Sequence, residues 1–107
     1  RIDGGLIRIL LIIENNIKKS ENEKELELAL KALANRRRIL IVRYLKKVKE
    51  ATVGDIAEKI KLSFKSTSKH LLVLYSAGFI DKEQRGLQVF YKLSQPIHPL
   101  IKHISNS

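Results

Sequence analysis

The sequence predicts a mainly α-helical fold with a small β-hairpin wing, and three observations carry that expectation. Two short stretches of helical period, each with its own N-capping residue, are separated by only three residues, Lys61 to Ser63. The second, "LSFKSTSKHLLVLYSAGF", places Lys65, Ser66, Thr67, Ser68, Lys69 and His70 together at its beginning and turns apolar only afterwards. Two runs with period-two alternation then flank Arg85-Gly86. With 107 residues, 44% hydrophobic and 30% charged, the chain suits one soluble globular domain.

Residues 1–19 are an apolar extension. Leu6, Ile9, Leu10, Ile13 and Ile17 fit one face of a helix, yet "LIRILLII" is equally rich in β-branched residues, so helix and strand both stay open. Its apolarity demands burial, unless it is an upstream stretch foreign to the fold. Residues 20–107 form the folded domain. Ser20 to Glu23 reads S-x-x-E, a capping box, and Leu26, Ala29, Leu30 and Leu33 follow at helical spacing. Asn35 caps the next helix, whose Arg38, Ile41, Val42, Leu45 and Val48 share a face. Arg36, Arg37 and Arg38 crowd its first turn, where exposed cations are unfavourable by roughly 0.3 to 1 kcal/mol each. Some other partner should use them, and a phosphate suits at least one.

Thr52 to Asp55 repeats the capping signature, and Val53, Ile56, Ala57 and Ile60 give a short apolar face. Ser63 caps the helix that follows. Along it Thr67, Leu71 and Leu74 stack on one side, Lys65, Lys69 and Ser76 point the opposite way, and Ser66, Ser68 and His70 lie on the flanks. Gly78 stands where a left-handed C-cap needs glycine. The pair is a helix-turn-helix. Ile80–Gln84 and Leu87–Leu93 are the strands of the hairpin, with Arg85 on its tip and Gln88 beside it, and Tyr75, Phe79, Phe90 and Tyr91 are expected mostly in the core. Pro96 and Pro99 lead into a last helical turn or two, through about Ile104.

A surface helix of purely structural purpose would spread its polar residues along its whole length, so their concentration at one end asks for a ligand there. Charge narrows the choice. Residues 1–34 hold six basic and six acidic side chains, residues 35–107 fifteen and five, so the entire net charge of +10 lies in the second segment. Nucleic acid is the commonest partner for such a domain, ahead of an anionic membrane surface. The longest apolar run, Ile9 to Ile13, is far below the roughly 20 residues of a membrane span, and no membrane partner is expected. Arg1 to Ile13 lacks the small-residue cleavage site of a secretory signal, and the absence of cysteine fits a reducing, cytoplasmic setting.

Taken in order, these segments resemble the ArsR-type winged helix-turn-helix repressors from about Leu30 to Ser94. "LKALANRRRILIVRYL" is similar to the start of that family's second helix at Arg38, Ile41 and Leu45. "STSKHLLVLYSAGFI" resembles the recognition helix and its exit at Ser68, His70, Leu71, Leu74, Ala77 and Gly78, and "RGLQVFYKL" the second wing strand at Gly86, Val89, Tyr91 and Leu93. The resemblance implies a homodimeric repressor built from the first and last helices and bound to double-stranded DNA, and residues 1–19 would enlarge such a dimer interface. Arg36 and Arg37 depart from the Pro and Thr often found there. Thr52 and Gly54 occupy the places where thiolate metal sensors carry cysteines, so that kind of sensing is not expected. His98 and His103 fall near the last helix, where other members bind zinc or nickel. They lie five apart, roughly 140 degrees around a helix, with no carboxylate near in sequence, so neither metal nor any other cofactor is expected.

A recognition helix enters the major groove by its N-terminal end, which explains the polar cluster. Lys65 and Lys69 are expected to reach guanine edges or phosphate, Ser66 and Ser68 bases or backbone, and His70 a phosphate. Arg85 and Gln88 on the wing suit the minor groove or its backbone, and Arg36 and Arg37 the phosphates; an exposed hairpin arginine without a partner is the plain alternative. No enzyme is expected: Ser68 and His70 sit about 200 degrees apart on their helix, and no phosphate loop, H-E-x-x-H or carboxylate pair is present. The competing class is a winged-helix interaction module that binds RNA or another protein; it would not need the fourth helix of the domain to stay basic and hydrogen-bonding at its start.

Overall fold

Three N-caps set the frame of the helical body. In the computed structural model, which describes residues 4–19, 23–102 and 104, the elements run α1 (Gly4–Lys19), α2 (Glu23–Leu33), α3 (Arg36–Val48), β1 (Ala51–Thr52), α4 (Val53–Ile60), α5 (Phe64–Ser76), β2 (Ile80–Arg85), β3 (Gln88–Leu93) and α6 (Pro99–Lys102). Asn35 accepts the Arg38 N–H at 3.2 Å and starts α3. Thr52 and Asp55 form the full reciprocal capping box of α4. Ser63 accepts the Ser66 N–H at 3.1 Å and starts α5. The capping box expected at Ser20 falls outside the described residues; α2 is described from Glu23.

Helix ends follow the same local chemistry. α4 closes through Lys61, whose φ of 56° lets the Leu62 N–H reach back to the Ala57 carbonyl at 3.0 Å. α5 closes on Gly78, at φ 82°, while the Gly78 and Phe79 N–H groups bond the Tyr75 and Leu74 carbonyls, both at 3.0 Å. That turn swings Phe79 and Ile80 straight into the core, where both are buried.

The core lies between α3, α4, α5 and the sheet, with Ile41, Leu45, Ile56, Leu71, Leu74 and Phe79 fully buried. Thr67 is buried with Leu71 and Leu74, as its place on their face predicts. The sheet is antiparallel in the order β1-β3-β2. β1 was not expected: a two-residue strand is too short to show alternation, and only its pairing of Ala51 and Thr52 with Tyr91 and Phe90 reveals it. Of the apolar extension, residues 4–19 are helical as α1, with Ile12 and Ile13 against the core and Ile7, Leu10 and Leu11 exposed; residues 1–3 lie outside the described residues.

The arginines at the start of α3 have partners that explain their cost. Arg38 donates from Nε to the Ala32 carbonyl at 2.6 Å and from Nη2 to the Lys31 carbonyl at 3.4 Å, so it caps the C-terminus of α2. Its Nη1 lies 3.1 Å from Nδ1 of His70 on α5. A guanidinium only donates, so Nδ1 accepts and the proton of the neutral ring sits on Nε2. Arg37 donates to the Ile60 carbonyl at 2.7 Å, at the C-terminus of α4. Two arginines thus join the first turn of α3 to the last turns of both helices beside it.

Arg38→Ala should lower unfolding stability by about 1 to 3 kcal/mol in urea denaturation, because it leaves the carbonyl of buried Ala32 without its donor; an unchanged midpoint would contradict the brace. Acid should act through the histidines. Burial, with Arg38 and Arg37 adding to it, holds His70 below the ordinary value of 6.5, and burial does the same to His98. The unfolded chain therefore takes up protons first, and stability complete above about pH 6.5 should decline as the pH falls through the lowered folded values. Denaturation midpoints between pH 7 and 5 measure the slope, and a His70→Gln, His98→Gln double variant should flatten it.

Candidate nucleic-acid interface

α5 has two sides with different work. Thr67, Leu71 and Leu74 are buried, and at 100 degrees per residue this puts Lys65 and Lys69 on the solvent side, where both are exposed. Ser66, Ser68 and His70 are half-buried on the flanks. Five of the six polar residues at its start therefore form an accessible edge, and the sixth, Thr67, is core. His70 leans toward α3 through Arg38, which leaves Nε2–H as its outward donor.

The wing differs from the expectation in register. Arg85 pairs with Gln88 in the ladder, so the two-residue turn is Gly86-Leu87, with Gly86 at φ 62°, and Leu87 rather than Arg85 is the tip. Its side chain is 102% exposed. Arg85 faces inward along the hairpin: Nη1 and Nη2 each meet a Glu50 carboxylate oxygen at 2.8 Å, and Nε and Nη2 meet Glu83 at 2.9 and 2.7 Å. Its guanidinium also lies 4.6 Å from the centre of the Phe90 ring. Hydrogen bonding to Arg85 holds Glu50 below the usual carboxylate range and raises Arg85 further. The exposed arginine of the wing is thus a strut between the hairpin and the end of α3. Glu50, which no motif singles out, is its counterpart.

Of the other expected contacts, Arg36 is exposed at the start of α3, Arg37 is half-buried against α4, and Gln88 is exposed beside the tip. The aromatic residues correct the core expectation in part. Phe79 is buried, whereas Phe90 and Tyr91 are half-buried and Tyr75 is exposed with the Lys82 ammonium 4.7 Å above its ring. The rings of Tyr75 and Phe90 carry cations instead of filling space. Leu72 and Val73, on the later turns of α5, are exposed and line a shallow groove of about 300 Å³ with Leu28 and Ala32 of α2. His98 packs edge-to-face on Phe79 at 4.6 Å and accepts the Leu100 N–H at 3.1 Å, so its Nδ1 is occupied; His103 lies outside the described residues. Among the described residues no three His, Cys, Asp or Glu side chains converge as a metal ion would require, and no helix is long and apolar enough to cross a membrane.

Comparison with known proteins agrees with this geometry. A family model described as bacterial regulatory protein, arsR family, matches residues 35–82, from the cap of α3 into β2. The transcriptional activator HlyU of Vibrio cholerae is 34% identical over 80 residues, covering 74% of this chain and 73% of that protein. Its reduced form superposes with a TM-score of 0.67 over 79% of this chain and 90% of that one, at 30% identity. The arsenical resistance operon repressor of Bacillus subtilis is 33% identical over 76 residues, 71% of this chain and 72% of that protein. The homodimeric winged helix-turn-helix DNA-binding domain of Mb0332 from Mycobacterium bovis, a possible ArsR-family regulator, gives a TM-score of 0.68 at 26% identity, over 74% of this chain and 73% of that one. By contrast the chain spans 12% of the length of the uncharacterized HTH-type transcriptional regulator MJ0774 of Methanocaldococcus jannaschii, 39% identical over 51 residues. On this similarity, this chain belongs to the ArsR family of transcriptional regulators, whose DNA-binding unit is a winged helix-turn-helix.

Proposed function

We propose that the chain is a homodimeric, sequence-specific binder of double-stranded DNA that acts in the cytoplasm as a transcriptional repressor, without a cysteine metal sensor. The observation that carries this is the division of α5: its core residues are buried while Lys65, Ser66, Ser68 and Lys69 form one accessible edge at the end that enters a major groove. Lys65 and Lys69 reach base edges or phosphates, Ser66 and Ser68 supply short hydrogen bonds, and the outward Nε2–H of His70 meets the backbone. Arg36 adds a phosphate contact from α3, and Gln88 contacts DNA from the wing. Arg37 and Arg85 act indirectly, by holding α4 and the hairpin in place.

The dimer rests on α1 and α6. Exposed Ile7, Leu10 and Leu11 give α1 an apolar surface that a second copy would bury, and the homodimeric Mb0332 domain supports two-fold assembly of this fold. Repression is the simpler mode, because occupying an operator suffices for it and activation needs a further contact to the transcription machinery. The Bacillus subtilis relative is named a repressor and the Vibrio cholerae relative an activator.

Lys65→Ala and Lys69→Ala should weaken binding to a selected duplex with the fold intact, since both side chains are exposed. Loss of a bidentate base contact should cost about 1 to 3 kcal/mol and relax preference at one base pair, while loss of a phosphate contact should weaken all sequences alike. Fluorescence titrations in which both variants match the parent on every duplex would sink the assignment of α5.

Selection from a random duplex pool should return an inverted repeat with half-sites about 10 bp, or roughly 34 Å, apart or a small multiple of it. If about six to ten phosphates are engaged per dimer, log K should fall against log salt with a slope near −5 to −9. Deleting residues 1–19 should weaken the dimer in sedimentation. A monomer that binds single, non-repeated sites with a shallow salt slope would instead favour an interaction module.

A further inference from the structure

We infer that Phe64 reads the 5-methyl group of a thymine in the major groove and so fixes one base pair of each half-site, an inference that rests on the placement of α5 proposed above. Phe64 is the first residue of α5 and is 63% exposed. Nothing in the local chemistry of a helix start calls for it: Ser63 already supplies the cap, and the first helical position is one that proline favours, not a large aromatic ring. It precedes Thr67 by three residues and Leu71 by seven and so continues their stripe by one turn, yet it is exposed where they are buried.

Its neighbours say what it faces. Phe64 precedes Ser68 by one turn on the same side of α5, adjacent to the stripe of Lys65 and Lys69. With Ser68 it lines a cleft of about 420 Å³ shared with Val53 at the start of α4 and with Leu87, Gln88, Val89 and Tyr91 of the wing. An apolar ring therefore stands beside Ser68, on the flank of the polar edge that faces the wing, at the first turn of α5. On the major-groove edges of the four bases only thymine presents a methyl group, and an aromatic ring gains from covering it. Cytosine, adenine and guanine offer there ring C–H groups beside hydrogen-bonding atoms, so the ring would gain less apolar area while desolvating polar atoms. The lysines supply charge, and Phe64 supplies selection for thymine.

The test uses the full chain and the duplex selected from a random pool. Each thymine is replaced in turn by deoxyuridine, which removes the methyl group and leaves base pairing unchanged, and affinities are measured for the parent, Phe64→Ala, Phe64→Leu and Lys65→Ala. One thymine per half-site should lose about fourfold in affinity with the parent, the worth of one buried methyl group. That loss should vanish with Phe64→Ala, persist in part with Phe64→Leu, and persist in full with Lys65→Ala. A selected site without such a thymine overturns the inference, as does a methyl effect that survives Phe64→Ala, even where Lys65→Ala weakens binding and so upholds α5 as the reading helix. If Lys65→Ala and every uridine substitution are silent, the placement of α5 falls and the inference with it. Circular dichroism of the Phe64 variants verifies their fold, which an exposed first-turn residue does not hold together.

Discussion

A helix cannot aim the same side chains at a hydrophobic core and at a base pair, and the organisation of this domain follows from that constraint on α5. Its buried stripe of Thr67, Leu71 and Leu74 fixes rotation about the helix axis, because turning it would bring polar side chains into the core and expose leucines. The cap at Ser63 and the glycine turn at Gly78 fix where it starts and stops. What remains is its position along the axis and its tilt, and there the bond between Arg38 and His70 matters. One guanidinium reaches from the start of α3 to the end of α2 and the flank of α5, so the reading edge is tied to the body of the domain through a rigid, forked group. A lysine in that place would provide a single point charge without the fork.

The basic side chains divide by type accordingly. Arg37, Arg38 and Arg85 spend their donors inside the molecule, on helix-terminal carbonyls, a histidine and two carboxylates. The lysines of α5 stay in solvent, where a hydrated ammonium on a flexible stem can find a phosphate or a guanine edge with little strain. Net charge alone would have treated these groups as equivalent. The formal +10 is therefore a poor measure of the phosphates engaged, since part of it is already paired or buried within the fold.

Much of this was legible in the sequence because much of it is local. Caps at Asn35, Thr52 and Ser63, the glycine at 78 and the stripe from Thr67 to Leu74 depend on residues three to eight apart, and those features are present as the residues alone imply. What the residues alone do not reveal is partners distant along the chain. Arg37 and Ile60 are 23 residues apart, Arg38 and His70 are 32, and Arg85 and Glu50 are 35. No periodicity connects such pairs, so the carbonyls, histidine and carboxylates that these arginines hold are visible only in the fold. The hairpin turn lies one residue later because Gly86, at φ 62°, takes the first of its two central positions, so Arg85 stays in the ladder opposite Gln88. Tyr75 and Phe90 lie outside the fully buried core, each with a cation of the wing over its ring.

Charge and apolarity are also separated along the chain, with consequences for assembly. The first 34 residues are electrically balanced and carry the exposed apolar side chains of α1, whereas the excess of positive charge begins with α3. Two copies brought together through the balanced end keep their basic halves apart, which limits the repulsion that a pair of +10 chains would otherwise meet. In the proposed dimer, DNA would remove the remainder of that repulsion by placing phosphates against both recognition helices. Occupancy of the duplex and association of the protomers would then be linked, each raising the affinity of the other by the same factor. The apolar helix and the basic edge, far apart in one chain, would act on a single equilibrium.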